Sequence, residues 1–188
     1  MNEEVKHVDW GIPNAVSYFG VVVLPNIVMF EASPTIQFAM NAVQSLWNLH
    51  EWYWYDTHPN QNPRHKGNQA TYKAFQDQLI QERPEIGHIR DLAEAAKHCG
   101  LGRRKPPLAV KSVGNRAGRG GVGGYGIPAG GYSIGALAYG SSSPQPVVTF
   151  DDGSSPCWLG DIVNVVKSYW HQKLQFDQAM RHPPPSSL

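Results

Sequence analysis

The chain has little charge and almost no cysteine. Only 16% of its 188 residues are Asp, Glu, Lys or Arg, and the bases nearly cancel the acids to leave a formal net charge of +1. So balanced a chain has no global attraction for nucleic acid or an anionic membrane, and any electrostatic partner must be read by a local patch. The two cysteines, Cys99 and Cys157, form no C-x-x-C pair and do not resemble a secreted disulfide framework. A reducing compartment is the simpler expectation. Long hydrophobic runs are missing too: Val21 to Leu24 stops at Pro25, too short a stretch to span a bilayer. The start, Asn2-Glu3-Glu4, has no basic stretch leading into an apolar segment, so no signal peptide is expected. Together these absences predict a cytoplasmic protein without membrane association. A G-x-S-x-G elbow, a Ser/His/Asp order, a phosphate-loop lysine and internal repeats are likewise missing.

Present instead are hydrophobic residues at 41% and abundant Gly, Pro, Ser, Asn and Gln. The length suits one domain with a real core. Tyr18 to Leu24 and Ile27 to Phe30, rich in β-branched and aromatic residues around the Pro25-Asn26 turn signal, predict two short strands. Ser33-Pro34 predicts a helix start, and the four-and-three spacing of Ile36, Met40, Val43, Trp47, His50 and Trp54 predicts one long amphipathic helix to Asp56. Further helices are expected from Asn68 to Glu82, from Pro84 to Cys99 and from Gly160 to Met180, with a strand from Pro146 to Phe150. The predicted fold is mainly α: a helical bundle of about four helices with a few short β-strands and a Gly-rich insertion. One helical domain would span 1–180, interrupted by the insertion at 103–143 and followed by a Pro-rich tail at 181–188.

His50 lies on the apolar stripe of the long helix. It reads either as a core histidine bonded to a neighbour or as an acid/base group or ligand inside a bundle. On the third helix, Asp91, Glu94 and His98 project to the face opposite the stripe formed by Ile86, Ile89, Ala93 and Ala96. That face is either solvated, or a polar pocket in which Arg90 and Lys97 hold phosphate while a carboxylate sets the basicity of His98. His50, His98 and His171 have the chemistry of metal ligands, but His171 should face water, so no metal and no cofactor are expected.

The insertion carries Arg103, Arg104, Lys105, Lys111, Arg116 and Arg119 and no acidic residue up to Ser143. Its two overlapping G-x-G-x-x-G matches, beginning at Gly118 and Gly121, lack the flanking strand and helix that dinucleotide binding requires. Either the segment is a structural arch of turns, or those six bases form a strap over the phosphates of RNA, with Tyr125 and Tyr132 as stacking rings. Asp151-Asp152 reads more simply as a hairpin tip than as a cation site.

Leu46-Trp47-Asn48-Leu49-His50-Glu51-Trp52, paired with Leu92-Ala93-Glu94-Ala95-Ala96-Lys97-His98, resembles a group of small bacterial proteins of unassigned function. They join a W-x-L-x-[DE]-W helix to a D-L-A-x-x-x-K-H helix and a final strand plus helix. More distantly, a helical hairpin with Arg and His near its end is similar to HEPN domains, which include RNA-cleaving toxins and phage-defence effectors. Here the Arg90 to His98 spacing is longer than that family's usual one, and Glu94 stands where a polar residue commonly lies. The resemblance implies a metal-independent endoribonuclease or RNA-binding protein, with an antitoxin or other protein as partner. His98 would be the general acid/base, Arg90 and Lys97 would stabilise phosphate charge, and His50 or Asp91 would orient the histidine. The alternative expectation is a non-catalytic interaction or structural protein, possessing no active site and self-assembling through exposed aromatics at Trp52 to Tyr55 and through the Gly-rich segment. A metal-dependent bundle enzyme is the third.

Overall fold

The computed structural model describes residues 11–98, 110–116, 145–150 and 154–181. Helix α1 (Ala15–Tyr18) runs through a π-helical turn (Phe19–Val23) into α2 (Leu24–Ala32). Then come α3 (Ile36–Thr57), α4 (Gln69–Glu82) and α5 (Pro84–His98). Strands β1 (Val110–Arg116), β2 (Gln145–Phe150) and β3 (Cys157–Trp158) precede the last helix, α6 (Leu159–Arg181). The fold is thus mainly α with a few short strands.

The amino-terminal region corrects the sequence reading. No strand forms there; Ala15, Tyr18, Phe19, Val23, Ile27 and Phe30 recur at helical steps and are all buried. The valines favour strand by propensity, but packing of this stripe overrides propensity. Pro25 is not a turn. It sits at the start of α2, directly after the π-helical turn, where the wider backbone spacing absorbs its missing N–H. Asn14 caps the helix by accepting from the Ser17 N–H at 2.8 Å. The Asp56 carboxylate, at the far end of α3, accepts from the Ala15 N–H at 2.7 Å, an acidic group at a helix N-terminus as the dipole favours.

Because the helix passes through Pro25, Ala15–Ala32 is by length and composition apolar enough to cross a membrane, with a mean hydropathy of 1.6. The short run inferred from the Pro25 break is therefore also corrected. A third of that stretch (33%) is buried against the rest of the fold.

Helix α3 begins later than Ser33-Pro34 suggests. Thr35 is its N-cap, accepting from the Phe38 N–H, while Ser33 closes α2. Helices α1, α2, α5 and α6 all pack on α3. A single core cluster joins Phe19 and Ile27, Leu46 and Trp47, Leu79, Ile86 and Ile89 with Val166 and Trp170. The sheet is antiparallel in the order β1-β2-β3, with Val113 opposite Val148 and Val147 opposite Trp158. Pro146 lies outside the short β3 pairing, so its missing N–H costs that ladder nothing. The sheet contacts α6 and, through β1, α5.

Candidate functional site

The residues expected to act together lie on α5 and α3. On α5, Arg90 donates to Asp91 Oδ1 from Nε at 3.0 Å and from Nη2 at 2.8 Å. Asp91 is wholly buried and the Arg90 side chain is 23% exposed. Of the two readings of this face, the solvated one is overturned at Asp91. Helices α3, α4 and α6 and strand β1 all contact α5, and Asp91 is interior although it lies opposite the apolar stripe. A buried carboxylate persists there because a cation and hydrogen bonds compensate its lost hydration.

Lys97 is exposed and Glu94 half-buried. His98 is the last residue of α5, and its side chain lies outside the described residues. So do Arg103, Arg104, Lys105 and Arg119, the Gly-rich segment around them, Asp151-Asp152 and the tail beyond Arg181. Lys111 and Arg116 belong to the backbone of β1, without described side chains.

His50 is buried and fully engaged. Its Nδ1 lies against the Trp47 carbonyl, which can only accept, so Nδ1 carries the proton. Nε2 then accepts from the Tyr72 hydroxyl at 2.7 Å and from the Gln76 amide at 2.8 Å. Burial pushes the imidazole down to about 4, against an opposing pull from the Trp47 carbonyl. Burial, reinforced by the charge of Glu51, pushes the Tyr72 hydroxyl up. At neutral pH the pair is therefore a neutral acceptor and a protonated donor, which fixes side chains and moves no proton. The rings of Trp47 and Tyr72 stack on His50 at 3.9 and 5.6 Å.

The aromatics at Trp52 to Tyr55 are not an exposed surface. Trp54 is buried, and Trp52, Tyr53 and Tyr55 are half-buried. Trp52 stacks on Tyr18 at 4.9 Å, and Tyr53 on Phe75 at 5.9 Å. Rings from α1, α4 and α6 meet this end of α3 and cover it. Beside it, Tyr169 of α6 donates to Glu82 of α4 at 2.5 Å, and Lys173 reaches the same carboxylate at 3.2 Å. Burial alone would raise Glu82, but the bonds from Tyr169 and Gln78 and the charge of Lys173 outweigh it and hold the carboxyl below its usual value.

Two features escaped the sequence reading. Glu85 and His88 form a Glu-x-x-His pair on α5, with His88 against the Phe150 ring at 4.8 Å. The spacing alone would have found it. No group of three or more metal-ligating side chains forms among the described residues. The second feature is an exposed apolar face: Val21 (61%), Val28 (60%), Met29 (46%), Ile36 (40%) and Met40 (37%). These side chains belong to the π-helical turn, α2 and the start of α3. Its signal in the sequence was apolar residues on every side of Ala15–Ala32, since a helix apolar all round must be covered on all sides.

No family model, no curated protein and no solved structure matches the chain.

Proposed function

We propose that the protein is a non-catalytic interaction module that docks a protein partner on the apolar face formed by Val21, Val28, Met29, Ile36 and Met40. The observation that carries this reading is that five of the seven large hydrophobic residues exposed among the described ones lie on the π-helical turn, α2 and the start of α3. Exposed apolar surface marks binding sites, and Glu31, the one charged residue of Ala15–Ala32, is paired with Lys167 at 2.8 Å. The fully buried centre of protein interfaces is similarly depleted in charged residues. RNA cleavage by His98 with Arg90 and Lys97 is the competing reading. It requires the Arg90 guanidinium to be open to phosphate, whereas that group is committed to Asp91.

A photo-crosslinking side chain placed at position 28 in cells tests the module, with position 73, on exposed α4, as control. Discrete protein adducts are expected from position 28 and not from 73. Equal labelling from both positions, or lipid adducts alone, would overturn the reading. Labelled RNA incubated with purified protein, with and without chelator, should stay intact. Cleavage that survives chelator and is abolished by His98→Ala would establish the competing nuclease.

A further inference from the structure

Of helices α3 to α6, α4 is the one with least in the core. Leu79 is its single buried residue, against nine in α3, and its rings Tyr72 and Phe75 are half-buried. At one end it follows the connection at 58–68, which holds Pro59, Pro63 and Gly67. At the other, Arg83 is extended ahead of Pro84. Elements with so little buried apolar surface open before the whole chain unfolds.

The polar ties that close α4 converge on two atoms. Among the described residues, four side-chain hydrogen bonds join it to other helices. His50 Nε2, on α3, accepts two of them, from Tyr72 at 2.7 Å and from Gln76 at 2.8 Å. Glu82 Oε2, on the last residue of α4, accepts the other two from α6, from Tyr169 at 2.5 Å and from Lys173 at 3.2 Å. We infer that α4 is an acid-released flap, which opens as a unit between the 58–68 connection and Arg83 when protons occupy these two acceptors. Opening uncovers the His50 imidazole and the Tyr53 and Trp54 rings that Tyr72 and Phe75 now cover.

Both latches respond to acid with the same sign. A proton on His50 Nε2 ends both acceptances and places a cation in a site whose burial holds the imidazole down to about 4, against the Trp47 carbonyl. The charged groups on this side, Glu51 and Arg64, lie 3.6 Å apart and act on Tyr72; neither bonds His50. At the other latch burial raises Glu82, but the bonds from Tyr169 and Gln78 and the Lys173 charge outweigh it. Tyr53 and Arg83 are the further titratable groups beside that bond. In the open flap each group returns towards its ordinary value, so opening takes up a proton at His50 between pH 6.5 and about 4. Glu82 adds its own below about pH 4.5. Lower pH therefore favours the open flap.

Native-state hydrogen exchange of the full chain between pH 7 and 4.5 provides the test, with each rate divided by the intrinsic rate of that amide. The amides of Lys73 to Glu82 are expected to share one protection factor, roughly tenfold or more below that of Leu46 to Trp54 in α3. Between pH 6.5 and 4.5 that factor should fall by roughly thirtyfold, as the uptake of one proton at His50 requires. His50→Gln supplies an acceptor that does not titrate, so the fall should shrink to about twofold, the share of Glu82. If His50→Gln does not fold, Tyr72→Phe carries the comparison. Losing one bond to Nε2 should lower α4 protection by roughly fivefold at pH 7, and an unchanged value overturns the inference. So do α4 amides as protected as those of α3, α4 protection indifferent to pH, or a fall of the same size in His50→Gln.

Discussion

Along α3, Ile36 and Met40 are exposed at 40% and 37%, whereas Val43, Trp47, His50 and Trp54, on the same four-and-three spacing, are all buried. Side chains from α4, α5 and α6 close over the second half. Tyr72 and Phe75 reach Trp54 from α4, and Trp170 reaches Tyr53 from α6. At the first half, the neighbour is α2, whose own outer residues Val28 and Met29 face away from the core. Equal hydrophobic spacing thus has two outcomes within one helix. One half of the stripe finds its cover inside the chain, and the other half stays exposed.

If the covered half carries the stability, Trp47→Ala should cost about 3–5 kcal/mol, as expected for a large core aromatic. Chemical denaturation monitored by circular dichroism measures it. A loss below about 1 kcal/mol would mean the two halves of α3 are equivalent, against the account.

His50 sharpens the comparison through pH. Its pKa falls from 6.5 to about 4 on folding, so between those values the unfolded chain binds more protons than the folded one. Stability is full above pH 6.5 and is lost as the pH falls towards 4, by on the order of 3 kcal/mol from this group. His50→Gln should flatten that interval of the stability-versus-pH curve. An unchanged slope in the variant would assign the acid sensitivity to other groups.

Asp91→Ala leaves the Arg90 guanidinium without its carboxylate. Because Arg90 keeps 23% side-chain exposure, the cost is set at about 2 kcal/mol, below that of breaking a fully buried pair. Thermal unfolding reads this directly, and an unaltered midpoint would show that Asp91 is not a structural anchor. At the far end of the scale, Met40→Ser should alter stability by no more than about 0.5 kcal/mol, as outer-surface changes do. A large loss of stability instead would make Met40 part of the core.

Spacing and punctuation were enough to find α3, α4, α5, α6 and β2 within a few residues, because each has an apolar period and a Pro, Gly or capping signal at an end. Ala15–Ala32 was misread as strands because its valines and Pro25 imitate a hairpin, and only the buried sequence Tyr18, Phe19, Val23, Ile27, Phe30 reveals the helical period. The candidate site fared differently. His50 was recognised as a core group or an acid/base group, and its partners Tyr72 and Gln76 lie on another helix, 22 and 26 residues away. Asp91 could not be placed from its own helix, since its burial depends on elements that other parts of the chain pack against α5. The exposed face was hidden for the converse reason: composition shows that Val28 and Met29 are apolar, but not that the chain leaves them uncovered.

Hydroxyl-radical footprinting that sets Met29 and Met40 against Trp47 and Trp54 reads the difference between the uncovered and the covered half of the stripe. Both methionines are partly exposed, at 46% and 37%, in the single chain. Met29 and Met40 should oxidise readily, while Trp47 and Trp54, at 8% and 1% exposure, stay protected. Methionines as protected as those tryptophans, or tryptophans oxidised as fast as the methionines, would contradict the contrast.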